Sequence, residues 1–266
     1  MKAPVTTRLF AVLAALAAGP VTAFSPLPDC SSPTSGVIYS KDGILDAAGS
    51  GNKLTSEERG QGWQLLFDGK SMSGWRGFDD KTIPGAWRVE NGALTLSKLP
   101  TDASTEGRGD IVTDSEFADF ELRLQWAVEP GANSGIFFFA REGSADRIWK
   151  TAPEVQVLDD ARHKDGAQPS HRAGALYDIY EPKCNALKPP GEYNDARLVV
   201  RKGHVEHWLN GYKLVEYDLD SDDFRKRVAA SKFRDQAQFA RVHRGRLGLQ
   251  DHGDVIRFRN IRLRKL

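Results

Sequence analysis

A chain of 266 residues, 40% of them hydrophobic, is long enough to bury a full core, and a formal net charge of +1 leaves no basic surplus for holding a nucleic-acid backbone. A mean hydropathy of −0.47 fits a soluble mature protein. No charge block, low-complexity tract or internal repeat interrupts the sequence.

The first residues have a character of their own. Lys2 and Arg8 give a positive start. Leu9 to Ala18 is an apolar run too short to span a bilayer comfortably, and Val21-Thr22-Ala23 supplies a small residue at the cut and a modest one two before it. Residues 1–23 therefore read as a secretory signal cut after Ala23, giving a secreted or periplasmic protein; a buried N-terminal helix is the alternative. Pro28-Asp29 before Cys30 does not match a lipoprotein cleavage pattern, so no membrane anchor is expected. Residues 24–53, rich in Pro, Ser, Gly and Ala, read as an extended arm, ordered only where it is tied down. In an exported protein the two cysteines, Cys30 and Cys184, point to a disulfide that staples this arm to a distant loop, with two free thiols as the alternative. The Pro/Lys/Asn surroundings of Cys184 offer no basic group to activate a thiol.

Residues 54–266 read as one all-β domain with one or two short helices. Thr55 with Glu58 three residues later forms a capping box for a first helix that Gly60 ends. Trp63 to Phe67 is a candidate strand. Trp87 to Leu96 is a hairpin, with Asn91-Gly92 between alternating runs. Phe120 to Trp126 alternates cleanly, which predicts Glu121, Arg123 and Gln125 on an outer face. Gly135 to Ala140 is continuously apolar, as expected of a strand covered on both faces. Arg197 to Val200 and His204 to Leu209 form a second hairpin, and Asn210-Gly211 turns into Tyr212 to Tyr217. Ser221 followed by Asp222-Asp223 caps a second helix, expected to pack across a sheet edge. Leu247 to Gln250 and Val255 to Leu263 close the chain; a phase slip between Phe258 and Ile261 predicts a bulge near Arg259-Asn260. Many short strands separated by turn signals argue a two-sheet antiparallel sandwich.

The stretch from Trp149 to His163 carries the candidate chemistry. Val155 and Val157 alternate with Glu154 and Gln156, so a strand here places the carboxylate and the amide together on the face opposite the valines. Asp159 and His163 follow where the strand ends, and Trp149 precedes it. A carboxylate, an amide and an aromatic ring on one rigid face suit a sugar; an ordinary half-exposed strand is the plain alternative. His252 in Gln250-Asp251-His252-Gly253 and His171-Arg172 before Gly174 are further candidates. Asn133 either holds a hydroxyl or makes an Asx turn. Trp149 and Tyr177 either stack on a sugar or serve the core. Trp63, Trp75, Trp87, Trp126 and Trp208 read as packing. His204 and His207 point to opposite faces of one strand, and His243 lies among arginines; all three read as structural or surface. No His/Cys spacing marks a metal site, and no Gly-rich dinucleotide fingerprint marks a nicotinamide or flavin.

Taken together, Gly62-Trp-Gln-Leu-Leu-Phe-Asp-Gly-Lys70, Gly74-Trp75, Trp87 to Leu94, Gly109-Asp110-Ile111, Phe117 to Glu121 and Gly131-Ala-Asn133-Ser-Gly135-Ile136 form an ordered series of motifs. It continues with Pro153 to Asp159, Gly174-Ala-Leu-Tyr177, Gly191 to Asn194, His207 to Gly211, Leu249 to Gly253 and Phe258 to Ile261. In order and spacing, over roughly residues 55–266, they resemble the 3-keto-disaccharide hydrolase domain. One departure is Phe139, where members of that family often carry Arg or His.

The resemblance implies a concanavalin A-like jelly roll acting on 3-keto-glycosides or 3-keto-disaccharides. The chemistry follows from the ketone: it acidifies the proton on carbon 2, the enolate expels the group on carbon 1, and water adds back. Hydrolysis, or the elimination or hydration half-reaction alone, could result. Such a site needs a base, an acid and a stabiliser for the enolate, which a divalent metal could supply. On this reading Glu154 and His163 are the proton-transfer candidates. Asn133, Trp149, Gln156, Asp159, Arg172, Tyr177, Gln250 and His252 are candidates for holding substrate, and the metal's ligands stay open. The ketone would be made by another protein, a sugar 3-dehydrogenase. Gln156 and Asp159 stand where retaining jelly-roll glycanases carry acids, which weakens a direct two-carboxylate mechanism. The rivals are a non-catalytic carbohydrate-binding module, a direct β-glycan hydrolase and a cell-envelope interaction module.

Overall fold

The computed structural model describes residues 27–31, 37–41, 51–98, 107–143 and 146–266. The proposed signal and most of the arm lie outside these residues. Two antiparallel sheets make up the molecule. The larger contains β1 (Gln64–Leu65), β3 (Trp87–Glu90), β4 (Ala93–Leu96), β6 (Phe120–Val128), β9 (Asn194–Arg201), β10 (His204–Leu209), β11 (Tyr212–Asp218) and β13 (Ile256–Lys265). Its order is β11-β10-β9-β6-β13-β4-β3, with β1 also on β13. The smaller contains β2 (Trp75–Gly77), β5 (Ile111–Phe117), β7 (Asn133–Ala140), β8 (Glu154–Leu158) and β12 (Gly245–Leu249), in the order β2-β5-β12-β7-β8.

Alternation fills the space between the sheets. Leu122, Leu124, Trp126 and Phe258 from the larger sheet meet Ile136, Phe138, Val155, Val157, Leu247 and Leu249 from the smaller. The Asn91-Gly92 turn has positive φ at both residues, which sets the register of the β3–β4 hairpin. The pairing of β13 with β6 shifts between Arg259 and Arg262, and Asn260 takes φ 55°, so the phase slip is a bulge. Helix α1 (Ser56–Gly60) has its capping box formed by Thr55 and Glu58. In α2 (Asp222–Ala230) the Ser221 hydroxyl accepts from the Phe224 amide, and the Phe224 ring stacks on Tyr217 of the edge strand β11.

Two expectations need correction. The strand from Trp63 to Phe67 shrinks to two residues. The outer face of β6 is not solvated: Glu121 and Gln125 are buried. Trp63 folds over this face with Arg123 and Arg264 against its ring at 4.6 and 5.1 Å. Beneath it Glu121 accepts from Arg123, Arg197 and Arg264 at 2.6–2.8 Å. Alternation says which face a side chain takes, not whether a remote segment covers that face. Phe139, the departure from the family's motif, has a backbone reason of its own. β7 gains a residue against β12, three positions spanning two, and Phe139 takes φ 58°. That turns its ring into the core, against Phe120 and Phe138, and a side chain here would not reach a ligand on the opposite face.

Cys30 and Cys184 form a disulfide, and the arm pairs alongside it through Asp29 and Asn185. The bond closes a loop across a sequence separation of 154 residues. Its reduction is expected to cost about 2–5 kcal/mol of stability, read as a lower melting temperature with reductant than without. An unchanged melting temperature would show that the arm adds nothing to the sandwich.

Candidate active site

The smaller sheet has a second, outward face, and its strand register builds the site. On that face Val112, Phe137, Ala140, Ile148 and Ala152 form a separate apolar cluster with Trp149 packed on it. Gly248 sits opposite Val112 and Phe137, and a Cβ there would lie 2.4 Å from Ile148. The next row is polar. Gly135 is opposite Gln156, and the Gln250 amide donates to the Gly135 carbonyl at 3.0 Å. Continuing the β5–β12 register past Ile111 and Leu249 brings Asp110 beside Gln250. Asp110, Gln250, Gly135 and Gln156 thus cross four neighbouring strands in one line.

Glu154 leans over the gap in that line. A Cβ on Gly135 would fall 2.1 Å from Glu154 Oε1, so the missing side chain of Gly135 is the space the carboxylate occupies. Glu154 is 4% exposed and Gln156 is 1% exposed. Around them three buried polar atoms have no partner among the described residues: Asn133 Oδ1, Gln156 Nε2 and Gln250 Oε1. Each such atom costs about 1–3 kcal/mol if left dry and unpaired. A donor and two acceptors held this way on rigid strands suit hydroxyl groups, which both give and accept.

Two carboxyl groups here are strongly perturbed. Burial pushes Glu154 up to about 8; Lys232 offsets part of this, while Asp110 and Asp165 push it further. Burial also pushes Asp110 up to about 7, against the amide of Asp251, which donates to it at 2.8 Å. Between these values the pair holds one proton, the composition an acid–base pair needs. Asp110 lines a cavity of about 400 Å³ with Arg108, Arg147, Trp149, Gln250 and His252.

The model of the 3-keto-alpha-glucoside-1,2-lyase-like domain matches residues 62–264. The chain belongs to this family. It is 35% identical to a 3-keto-disaccharide hydrolase of Bacteroides thetaiotaomicron over 77% of this chain and 79% of that one. A crystal structure of a Parabacteroides distasonis protein assigned as a glycosyl hydrolase matches with TM-score 0.74 and 31% identity, over 81% of this chain and 99% of that one. A second structure from the same organism, with the same assignment, gives TM-score 0.59 and 29% identity over 77% and 99%. The protein is accordingly an enzyme acting on sugars.

Within this member of the 3-keto-alpha-glucoside-1,2-lyase-like family the sequence candidates divide. Glu154, Gln156, Gln250 and Asn133 share the outward face, and Trp149 and His252 line the cavity. Tyr177 stacks on His171 at 4.2 Å and donates to Asp165 at 3.2 Å. Asp159 is 2% exposed; its oxygens accept from Gly131, Ala161 and Arg162, so it closes a turn and both oxygens are already bonded within the chain. Arg172 is buried with Nε donating to the Gly166 carbonyl and lines a different cavity, of about 430 Å³, with Asp160 and Leu27. His207 is buried between the Gly174 carbonyl and the Tyr217 hydroxyl, and burial drives it down to about 4. His204 lies in a surface cluster with Glu216 and Asp218.

His163 borders that second cavity, and its ring lies 6.0 Å from His252. With Asp254 these histidines present one ligand atom each within 4.8 Å of one another. Two imidazoles and a carboxylate suit a divalent transition ion. Asp254 Oδ2 already accepts from the Asn133 backbone N–H at 3.1 Å, a bond that would orient it. His163 Nδ1 accepts from the Asp165 amide at 3.2 Å, so a metal at Nε2 would have to move the imidazole proton and give up that bond.

Asp110, Lys232 and Asp254 were not picked out from sequence as site residues. Asp110 lies two residues before outward-facing Val112, so the period of β5 held a signal for it. No local pattern marks Lys232.

Proposed function

We propose that the protein cleaves 3-keto-glycosides by removing the proton on carbon 2 and expelling the group on carbon 1, with water adding back. The observation that carries this is the pair of raised carboxyls, Glu154 and Asp110, on one face with three side-chain amide atoms, Gln156 Nε2, Gln250 Oε1 and Asn133 Oδ1, that have no partner among the described residues. Glu154 takes the carbon-2 proton from the form of the pair whose single proton sits on Asp110; with Glu154 at about 8 and Asp110 at about 7, this is the less populated of the two one-proton forms. Asp110, on the far side of Gln250, protonates the leaving oxygen. The amides hold the ring hydroxyls, and Trp149 offers an apolar wall. The relatives' names agree with this substrate class.

His163, His252 and Asp254 would hold a divalent cation, which supplies Lewis-acid polarisation of a sugar oxygen when bound. In its absence His163 keeps a donor at Nε2, since Nδ1 accepts from Asp165. Chelation is expected to abolish most turnover, with recovery on adding a divalent ion. The ion should also raise the melting temperature of wild type but not of His252→Ala. Equal turnover with and without chelator would remove the metal from the account.

The pH dependence has a definite sign. Below about 7 both carboxyls keep protons and no base is present; above about 8 both are ionised and no acid remains. The kcat/KM profile on a 3-keto-glycoside is therefore expected to be bell-shaped with its maximum between these values. Asp110→Asn should remove one limb, and a flat profile from pH 5 to 9 would contradict the pairing.

No helix among the described residues is long and apolar enough to cross a membrane. The disulfide supports export to an oxidising compartment. A sugar 3-dehydrogenase acting upstream would supply the ketone. The test is turnover of a matched pair, a glucoside and its 3-keto derivative. Cleavage of the keto form alone is expected; cleavage of the plain glucoside would favour a direct hydrolase.

A further inference from the structure

Lys232 follows α2 in a segment that the rest of the site holds still. Its amide donates to Asp178 Oδ2 at 2.7 Å, and Asp178 is itself bonded to His171 at 2.9 Å. The next residue, Phe233, is buried, stacked on Phe239 at 4.0 Å and packed near Trp149. The backbone is therefore fixed on both sides while the side chain stays accessible. The ammonium lies 4.0 Å from the Tyr177 ring centre, 5.0 Å from Phe233 and 5.3 Å from Trp149. Tyr177 belongs to the Glu154 neighbourhood, because its amide donates to the Glu154 carbonyl at 3.0 Å.

The charges facing Lys232 are Glu154 from β8, Asp165 from the turn after it and Asp178 from the loop beyond. Among the described residues none of these brings a carboxylate oxygen into ion-pair contact with the ammonium. A cation is thus held by aromatic rings beside the candidate base, within electrostatic reach of it, and with its donors uncommitted.

We propose that Lys232 is a catalytic residue that donates to the substrate oxygen on carbon 3 as Glu154 takes the proton from carbon 2. This rests on the reading of the reaction given above. In the step the carbon-2 to hydrogen bond breaks and an O–H bond forms on Glu154. The electron pair left behind makes the carbon-2 to carbon-3 double bond, and the carbonyl pair moves onto oxygen 3. Before the step the local charges are Glu154 carboxylate, Lys232 ammonium and neutral ketone. After it they are Glu154 carboxylic acid, Lys232 ammonium and enolate. The sum is unchanged, so a desolvated site creates no net charge; the ammonium exchanges one anion for another. A base and an oxyanion donor serving adjacent carbons must lie near one another, and Glu154 is among the charges that face Lys232.

The test compares Lys232→Met, which keeps length and ring packing, with Lys232→Arg, which keeps charge. In Lys232→Met kcat on a 3-keto-glycoside should fall about 10²- to 10³-fold with KM changed far less. Loss of the ammonium should also move the Glu154 titration to higher pH, followed by carbon NMR of labelled carboxyls. Lys232→Arg should recover most of kcat. Unchanged kcat in Lys232→Met, or equal losses in both variants at equal melting temperature, would overturn the proposal. If the Glu154 titration moves as expected while wild type leaves the keto sugar intact, the substrate reading has failed, and the catalytic role of Lys232 with it, though the electrostatic coupling stands. If wild type is active and the titration does not move, the coupling has failed instead.

Discussion

Replacing Glu154 by Gln is expected to lower kcat/KM on a 3-keto-glycoside by about 10²- to 10⁴-fold, the usual share of a positioned proton-transfer group. The amide is nearly isosteric, so the bond pattern of β8 and the Gly135 gap stay intact, and sugar binding should survive. Stability should move the other way. Glu154 has a folded-state value raised to about 8 from an ordinary carboxyl value of 4.5. The folded protein therefore binds more protons than the unfolded chain between those limits, and wild-type stability falls as pH rises through that window. Gln cannot titrate and escapes that loss. The variant should melt higher than wild type at pH 8 and close to it at pH 4.5, which calorimetry at the two pH values checks. A variant that loses activity and melts lower at both would make Glu154 a structural residue.

The second large effect is expected from a residue that does no chemistry. Gly135→Ala would place a methyl group 2.1 Å from Glu154 Oε1 and 2.7 Å from its carboxyl carbon. Gly135 does not have a positive φ, so the backbone accepts alanine, and the conflict falls wholly on the carboxylate. Glu154 must swing away or β7 must separate from β8. The first outcome predicts a loss of kcat approaching that of Glu154→Gln with the fold retained. It also predicts a Glu154 titration shifted back toward the ordinary range as the group meets water. Gly135→Ala with full activity would show that the carboxylate does not work from the position it holds over this gap.

How much of this was legible in the sequence depends on whether a signal is local. The Asn91-Gly92 hairpin, the caps at Thr55 and Ser221, and the slip that becomes the β13 bulge all involve neighbours in the chain, and each was readable. So was the alternation that puts Glu154 and Gln156 on one face, because period two is a property of any strand. Burial of Glu121 was not readable, since Trp63 covers it from another segment. The internal partners of Asp159 and Arg172 were hidden for a related reason. Residue type says that a carboxylate or guanidinium can bind a ligand, but not that backbone amides or a carbonyl have already claimed it. The period of β5 gave Asp110 its face, but its place beside Gln250 came only through the register of β5 with β12, and Lys232 entered only through the path of the segment after α2. Both depend on how distant strands and loops align. The role of Gly135 rests on where the Glu154 carboxylate comes to lie, which the pairing of β7 with β8 decides.

The claim at the centre of this account is that Glu154 moves the proton on carbon 2. Incubating a 3-keto-glycoside with enzyme in deuterated water and following carbon 2 by NMR measures this directly. Wild type is expected to introduce deuterium at carbon 2 of recovered substrate or of product, and Glu154→Gln is expected to do so far more slowly. Cleavage by wild type with carbon 2 retaining its original hydrogen, or equal exchange by the two proteins, would contradict it.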